Sequence, residues 1–174
     1  MFVIVLFRVL LVVSVYHGVS SLCAYLEHRA VSVKRRKITH VVDGLSLQWF
    51  KIIRYILFFL GAAEFVYFHV LRWQITLMGL LLLFLGVGLR LKAIKTLGDF
   101  WSFHVVIYEN QKLVREGVYR YFSHPAYIGN IYLFGIFLIS NSIITAILSS
   151  FFIFSFYIYR SRIENTYVIE RLCA

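Results

Sequence analysis

Five apolar stretches, at residues 3–26, 52–71, 75–91, 127–138 and 143–159, leave this chain few ways to fold. A helix needs roughly 20 apolar residues to cross about 30 Å of hydrocarbon, and four of the five stretches come near that length. The fourth is short, but a helix starting at Pro125 and reaching Ser140 would cross if tilted or partly shielded. Composition agrees: 61% of residues are hydrophobic and 15% charged, against about 25% charged in a soluble domain. The expected fold class is all-α, a polytopic integral membrane protein of about five transmembrane helices. A soluble globular domain is excluded.

The first stretch is too long for the roughly 7–15-residue apolar core of a secretory signal, and no small-x-small site follows it. It is therefore expected to stay as a first helix. Cys23 and Cys173 have no spacing partner, so neither a metal site nor a disulfide framework is expected. No internal repeat or linker is visible, and residues 1–174 read as a single domain.

The basic residues fix an expected orientation. Sixteen of the eighteen lie in the first connection with the start of the second stretch, in the long third connection, or after the last stretch. With five spans these regions share one membrane face, and the other keeps Arg72 and Arg8. The positive-inside rule then puts the N-terminus outside and the C-terminus in the cytoplasm. The net charge of +10 is thus a topology signal with scope for anionic-lipid contact, and nucleic acid is not an expected partner.

Most polar, irregular sequence falls in residues 86–130, on the expected cytoplasmic face. Ser123-His124-Pro125 precedes an apolar run, and proline suits the first helical position. The N–H groups near Ala126 and Tyr127 would then point into the loop, either as an ordinary helix start or as a site for an anion. Lys112, Arg115, Arg120 and His124 cluster with Tyr119, Tyr121 and Tyr127, which suits a flat charged ligand or an interfacial aromatic belt. Gly86, Gly88 and Gly129 sit inside apolar runs, where they permit close helix packing or leave room for a ligand. Gly86-x-Gly88 lacks the strand and third glycine of a dinucleotide fold. Glu64, inside the second stretch, reads either as a packed pair with His69 or as part of an acceptor channel.

Three blocks together resemble the isoprenylcysteine carboxyl methyltransferase family. They are Leu97-Gly98-x-x-Trp101-Ser102, Lys112-Leu113-Val114-x-x-Gly117-x-Tyr119-Arg120 and His124-Pro125-x-Tyr127-x-Gly129. The likeness covers about residues 86–164, and the phospholipid N-methyltransferases share the general plan. The resemblance implies methyl transfer from S-adenosylmethionine to a lipophilic acceptor, prenylated or another lipid, at the cytoplasmic face. It implies a cytoplasmic cofactor-binding loop and a C-terminal helix, with residues 1–85 as scaffold and 86–174 as the cofactor and catalytic part. The implied cofactor-binding residues are Leu113, Val114, Gly117, Tyr119, Arg120, His124, Pro125, Tyr127, Gly129 and Glu164. Arg162-Ile163-Glu164 matches the start of the family's tail motif, whereas Thr166 and Tyr167 stand where acidic residues are expected.

A sulfonium donor is already activated, so the protein mainly supplies proximity and alignment. A carboxylate or acidic hydroxyl acceptor needs no general base, whereas an amine would call on His104 or His124. Arg162 or Arg120 would hold an acceptor carboxylate, and Glu164 would face the sulfonium or the ribose. The catalytic set is therefore Arg162, Glu164 and Arg120. Two other readings stay open: a nicotinamide-dependent membrane reductase of the sterol-reductase kind, and a non-catalytic membrane homologue.

Overall fold

The computed structural model describes residues 2–31, 38–43, 45–68, 72–108 and 113–169. Backbone groups find no water in hydrocarbon, so apolar runs satisfy their hydrogen bonds internally as helices. Helix α1 covers Phe2–Ala30, α2 Ser46–Phe68 and α3 Trp73–Leu97, the last extended by a 3₁₀ turn at Gly98–Phe100. Short α4 (Pro125–Ile128) runs through a 3₁₀ turn, Gly129–Ile131, into α5 (Tyr132–Ile139). Helix α6, Ile143–Glu164, ends in a wider turn over Asn165–Ile169.

Val9–Ala30, Trp73–Phe100 and Ile143–Tyr167 are long and apolar enough to cross a membrane, and Pro125–Ile139 is a shorter apolar helix. Helix α2 has 23 residues but carries Lys51, Arg54 and Glu64. The chain is an integral membrane protein with helices at all five expected places. Its core is apolar, built around Phe58, Leu133, Phe137 and Ala146. Its outer faces are apolar too: Leu77, Leu81, Phe84 and Leu85 along α3 are all exposed. Continuous exposed apolar faces belong against lipid rather than water.

Helices α3 and α5 pack backbone to backbone. A Cβ added at Gly79 would sit 2.6 Å from the Ile139 nitrogen and 2.7 Å from the Gly135 oxygen. At Gly86 it would stand 2.7 Å from the Gly129 oxygen, whereas at Gly88 it would meet nothing within 4 Å. Gly86 therefore serves helix packing.

Glu64 lines a cavity with Leu60, Tyr67 and Ile144, while its expected pairing with His69 falls outside the described residues. Its carboxylate accepts the N–H groups of Ile144 and Thr145, each at 2.8 Å, and the Thr145 hydroxyl at 2.8 Å. The charge thus sits on the α6 N-terminus and takes two N–H groups that have no partner within the helix. At the same end Asn141 accepts the Arg72 N–H at 2.8 Å and donates to Thr76 at 2.9 Å.

The opposite end adds to the all-helical expectation. Strand β1 (Ile38–Asp43) pairs antiparallel with β2 (Val105–Tyr108), joining the first connection to the third. Asp43, at the end of β1, accepts the N–H groups of Leu45 (3.1 Å) and Ser46 (3.0 Å) and so anchors the start of α2. Burial alone would raise its carboxyl pKa. Hydrogen bonds from Ser46 and Leu45, with the Arg160 cation, outweigh burial and hold it below the ordinary value.

Candidate active site

Proline disfavours α geometry in the residue before it, and His124 accordingly takes φ −134°, ψ 62° ahead of the helix that starts at Pro125. The His124 imidazole is buried and faces the last turn of α6. Positions four apart share a helix face, so that turn presents Arg160 and Glu164 together. Glu164 accepts a hydrogen bond from the Tyr127 hydroxyl through one oxygen. Its other oxygen lies 3.0 Å from Nδ1 of His124. Nε2 of His124 is 3.1 Å from the side-chain oxygen of Asn165. The rings of His124 and Tyr127 stack at 5.6 Å, and Tyr157 stands edge-on to both.

Arg160, only 3% exposed, completes the cluster. Its Nε donates to the Tyr127 hydroxyl at 3.2 Å, and its terminal nitrogens donate to the Ser46 hydroxyl (3.2 Å) and the Phe103 carbonyl (3.0 Å). The guanidinium also lies 5.5 Å from the ring centroid of Tyr127. The Tyr127 hydroxyl is therefore fixed from both sides, accepting from Arg160 and donating to Glu164.

This cluster forms one wall of a cavity of about 660 Å³. That lies within the roughly 300–1,000 Å³ typical of small-molecule sites. Leu97, Phe100 and Trp101 at the end of α3, and Val105 of β2, supply an apolar side. Arg115, Arg120 and His104 are exposed at its edge. Tyr119 also lines it, and burial, with the Glu164 carboxylate adding to it, pushes its phenol above the ordinary value.

Of the residues expected at a cofactor site, Leu113, Val114, Tyr119, Arg120, His124, Tyr127 and Glu164 line the cavity. Gly117, Pro125 and Gly129 do not. Gly117 has φ +55°, a glycine conformation that lets the turn lie against Thr96. Pro125 is buried as the start of α4. Gly129 faces α3, where an added Cβ would stand 2.3 Å from Cγ of Arg90. Lys112 lies outside the described residues.

Two expectations need correction. The Tyr127 N–H does not point free into the loop, because it donates to the His124 carbonyl at 3.1 Å and closes the first helical turn. Arg162 is exposed and off the cavity, and the buried arginine of that helix end is Arg160. The four-residue step back from Glu164 was the available signal for Arg160; Arg162, two residues from Glu164, falls on another face. Asn165 followed from no motif, and its place beside His124 comes from the turn after α6.

The segment carrying this site has known relatives. The family model for the isoprenylcysteine carboxyl methyltransferase (ICMT) family matches residues 77–170. The chain belongs to that family. The match begins within α3 and takes in the third connection and α4 to α6, and with them His124, Tyr127, Arg160, Glu164 and every residue lining the cavity. Protein-S-isoprenylcysteine O-methyltransferase B of Arabidopsis thaliana is 42% identical over 71 residues, which is 38% of this chain and 36% of that one. The chain therefore spans about a third of the length of that curated relative. No solved structure matches the chain. Helices α1 and α2 and strand β1 lie outside the family match, yet they supply Glu27 and Ser46 to the polar network behind the site.

Proposed function

We propose that this ICMT-family protein is an S-adenosylmethionine-dependent methyltransferase acting on a lipophilic acceptor, with a carboxylate or acidic hydroxyl as the methylated group. Residues 1–85 serve as scaffold and 86–174 hold the cofactor and catalytic groups, within one domain. The observation that carries the reading is the Glu164 carboxylate, held by His124 and Tyr127 in the wall of a cavity of about 660 Å³.

The residues present suit such a cofactor. Its sulfonium and amine are cationic, and Glu164 offers a carboxylate. Its own carboxylate is anionic, and Arg115 and Arg120 offer guanidinium groups. Its purine is flat, and Phe100, Trp101 and Tyr119 offer aromatic faces along the same cavity. When bound, S-adenosylmethionine supplies an activated methyl group for in-line displacement.

The chain's own groups then bind and align. Tyr119, its phenol pushed up by burial, stays protonated and keeps its O–H as a donor facing the cavity. His124 is engaged on both ring nitrogens, by Glu164 and Asn165, which leaves it no nitrogen free to serve as a general base. That supports an acceptor already anionic at neutral pH, because such a group needs no general base. Arg120 at the cavity edge would pair with the acceptor anion, a geometry guanidinium suits well. Arg162 does not line the cavity, which leaves this role to Arg120.

By the positive-inside rule, the distribution of basic residues supports a cytoplasmic site end and an N-terminus outside. The pairing of β1 with β2 supports this assignment, since it holds the first and third connections at one end. Prenylated or other lipid acceptors would enter from the membrane.

Purified protein incubated with labelled S-adenosylmethionine and a panel of lipid acids, enols and amines tests the reading. Label is expected on an acid or enol. Transfer to amines alone would overturn the acceptor class, and transfer to none of them would overturn the activity.

A further inference from the structure

Behind the wall that carries His124 and Tyr127 lies a second polar cluster, and it begins on a helix outside the family match. Arg90 of α3 is buried and forks onto Glu27 of α1, with Nε to Oε1 at 2.7 Å and a terminal nitrogen to Oε2 at 2.8 Å. The other terminal nitrogen donates to the Ala126 carbonyl and to the Asn130 side-chain oxygen, each at 2.8 Å. Glu27 is buried to 4% exposure. These contacts reach the cavity wall itself. Ala126 lies between His124 and Tyr127 on the cavity, and the helical ladder changes from α to 3₁₀ just beyond it, over Gly129–Ile131. Gly129 has no Cβ, which lets the stem of Arg90 close on this turn.

A fork on a carboxylate fixes the plane and direction of a guanidinium far better than a single contact. Two of the Arg90 N–H groups are held by Glu27, so the remaining nitrogen has one direction in which to donate, towards Ala126 and Asn130. We propose that Glu27 is a positioning residue for the site: through Arg90 it fixes the Ala126 carbonyl, and with it the spacing of His124 and Tyr127 against Glu164. The proposal rests on the cofactor site described above and adds to it that the first helix sets the geometry of that site. Glu27 touches neither cavity nor cofactor and acts through Arg90.

A structural ion pair and a positioning device predict different results for a charge swap. Glu27→Arg with Arg90→Glu restores an ion pair between α1 and α3, but a carboxylate at position 90 cannot donate to the Ala126 carbonyl. The measurements are S-adenosylhomocysteine binding, thermal stability, and hydrogen–deuterium exchange of the segment 124–130, all on the full chain in detergent. The swap is expected to recover most of the stability lost in Arg90→Glu alone, while binding stays at least tenfold weaker and exchange in 124–130 stays faster than in the parent. Glu27→Gln, which keeps shape and one acceptor oxygen but leaves the buried Arg90 charge unpaired, is expected to lower stability and, well below its melting transition, to weaken binding severalfold and speed exchange in 124–130. Parent-like binding and exchange in the swap would overturn the proposal. If the swap does not fold, Glu27→Gln decides, and unchanged binding with unchanged exchange would overturn it. If the parent itself fails to bind, the cofactor reading falls, while exchange in 124–130 still tests the positioning claim.

Discussion

Glu164 lies 3.0 Å from the imidazole of His124, which joins the end of α6 to the start of α4 across the cavity wall. With the Tyr127 hydroxyl on its other oxygen, the carboxylate is fixed at both ends. Hydrogen bonds to charged groups are worth about 1.5–3 kcal/mol each. Glu164→Ala should therefore weaken S-adenosylhomocysteine binding by roughly ten- to a hundredfold, as read by calorimetry, with Tyr127→Phe losing less.

The two arginines of the last turn should separate cleanly. Arg160→Ala removes bonds to Tyr127, Ser46 and the Phe103 carbonyl, and should cost about 2–3 kcal/mol of stability in denaturation. Arg162→Ala, at an exposed position, should stay within about 0.5 kcal/mol.

Glycines offer a sharper contrast. Gly79→Ala drives a methyl group into the backbone of Ile139 and Gly135, and backbone cannot step aside. It should destabilise by about 1–3 kcal/mol. Gly88→Ala meets open space in a helix interior and should stabilise by up to about 1 kcal/mol. Paired melting curves of the two variants check both signs.

Asp43 makes a pH prediction. Its folded pKa lies below the ordinary value of about 3.9, so its contribution is fully present above that pH and is lost as pH falls through the folded value. Asp43→Asn should lower stability near neutral pH and flatten the acid limb below about pH 4, as followed by melting temperature against pH.

The membrane fold was legible because apolar length is a one-dimensional property: five runs gave five helical places, with Pro125 marking a start. The cavity wall was legible where a motif bound residues near in sequence, as in His124-Pro125-x-Tyr127. What needed coordinates was pairing between distant elements. Nothing in the run around Glu64 shows that it meets the first turn of α6, and nothing near Glu27 shows Arg90. Strand β1 was hidden because six residues paired with a distant loop carry no periodic apolar signal. The tail motif points to Arg162 and is silent on Arg160, while the helix face decides which side chain reaches Tyr127.

The central claim is that the wall built from His124, Tyr127 and Glu164 receives a sulfonium nucleoside. Titration of the purified chain with S-adenosylmethionine, with the neutral thioether S-adenosylhomocysteine as the uncharged comparison, tests it most directly. The account predicts micromolar binding that His124→Ala and Tyr127→Ala abolish and Arg162→Ala leaves intact. Binding of a nicotinamide dinucleotide in its place, or affinity indifferent to His124 and Tyr127, would contradict it.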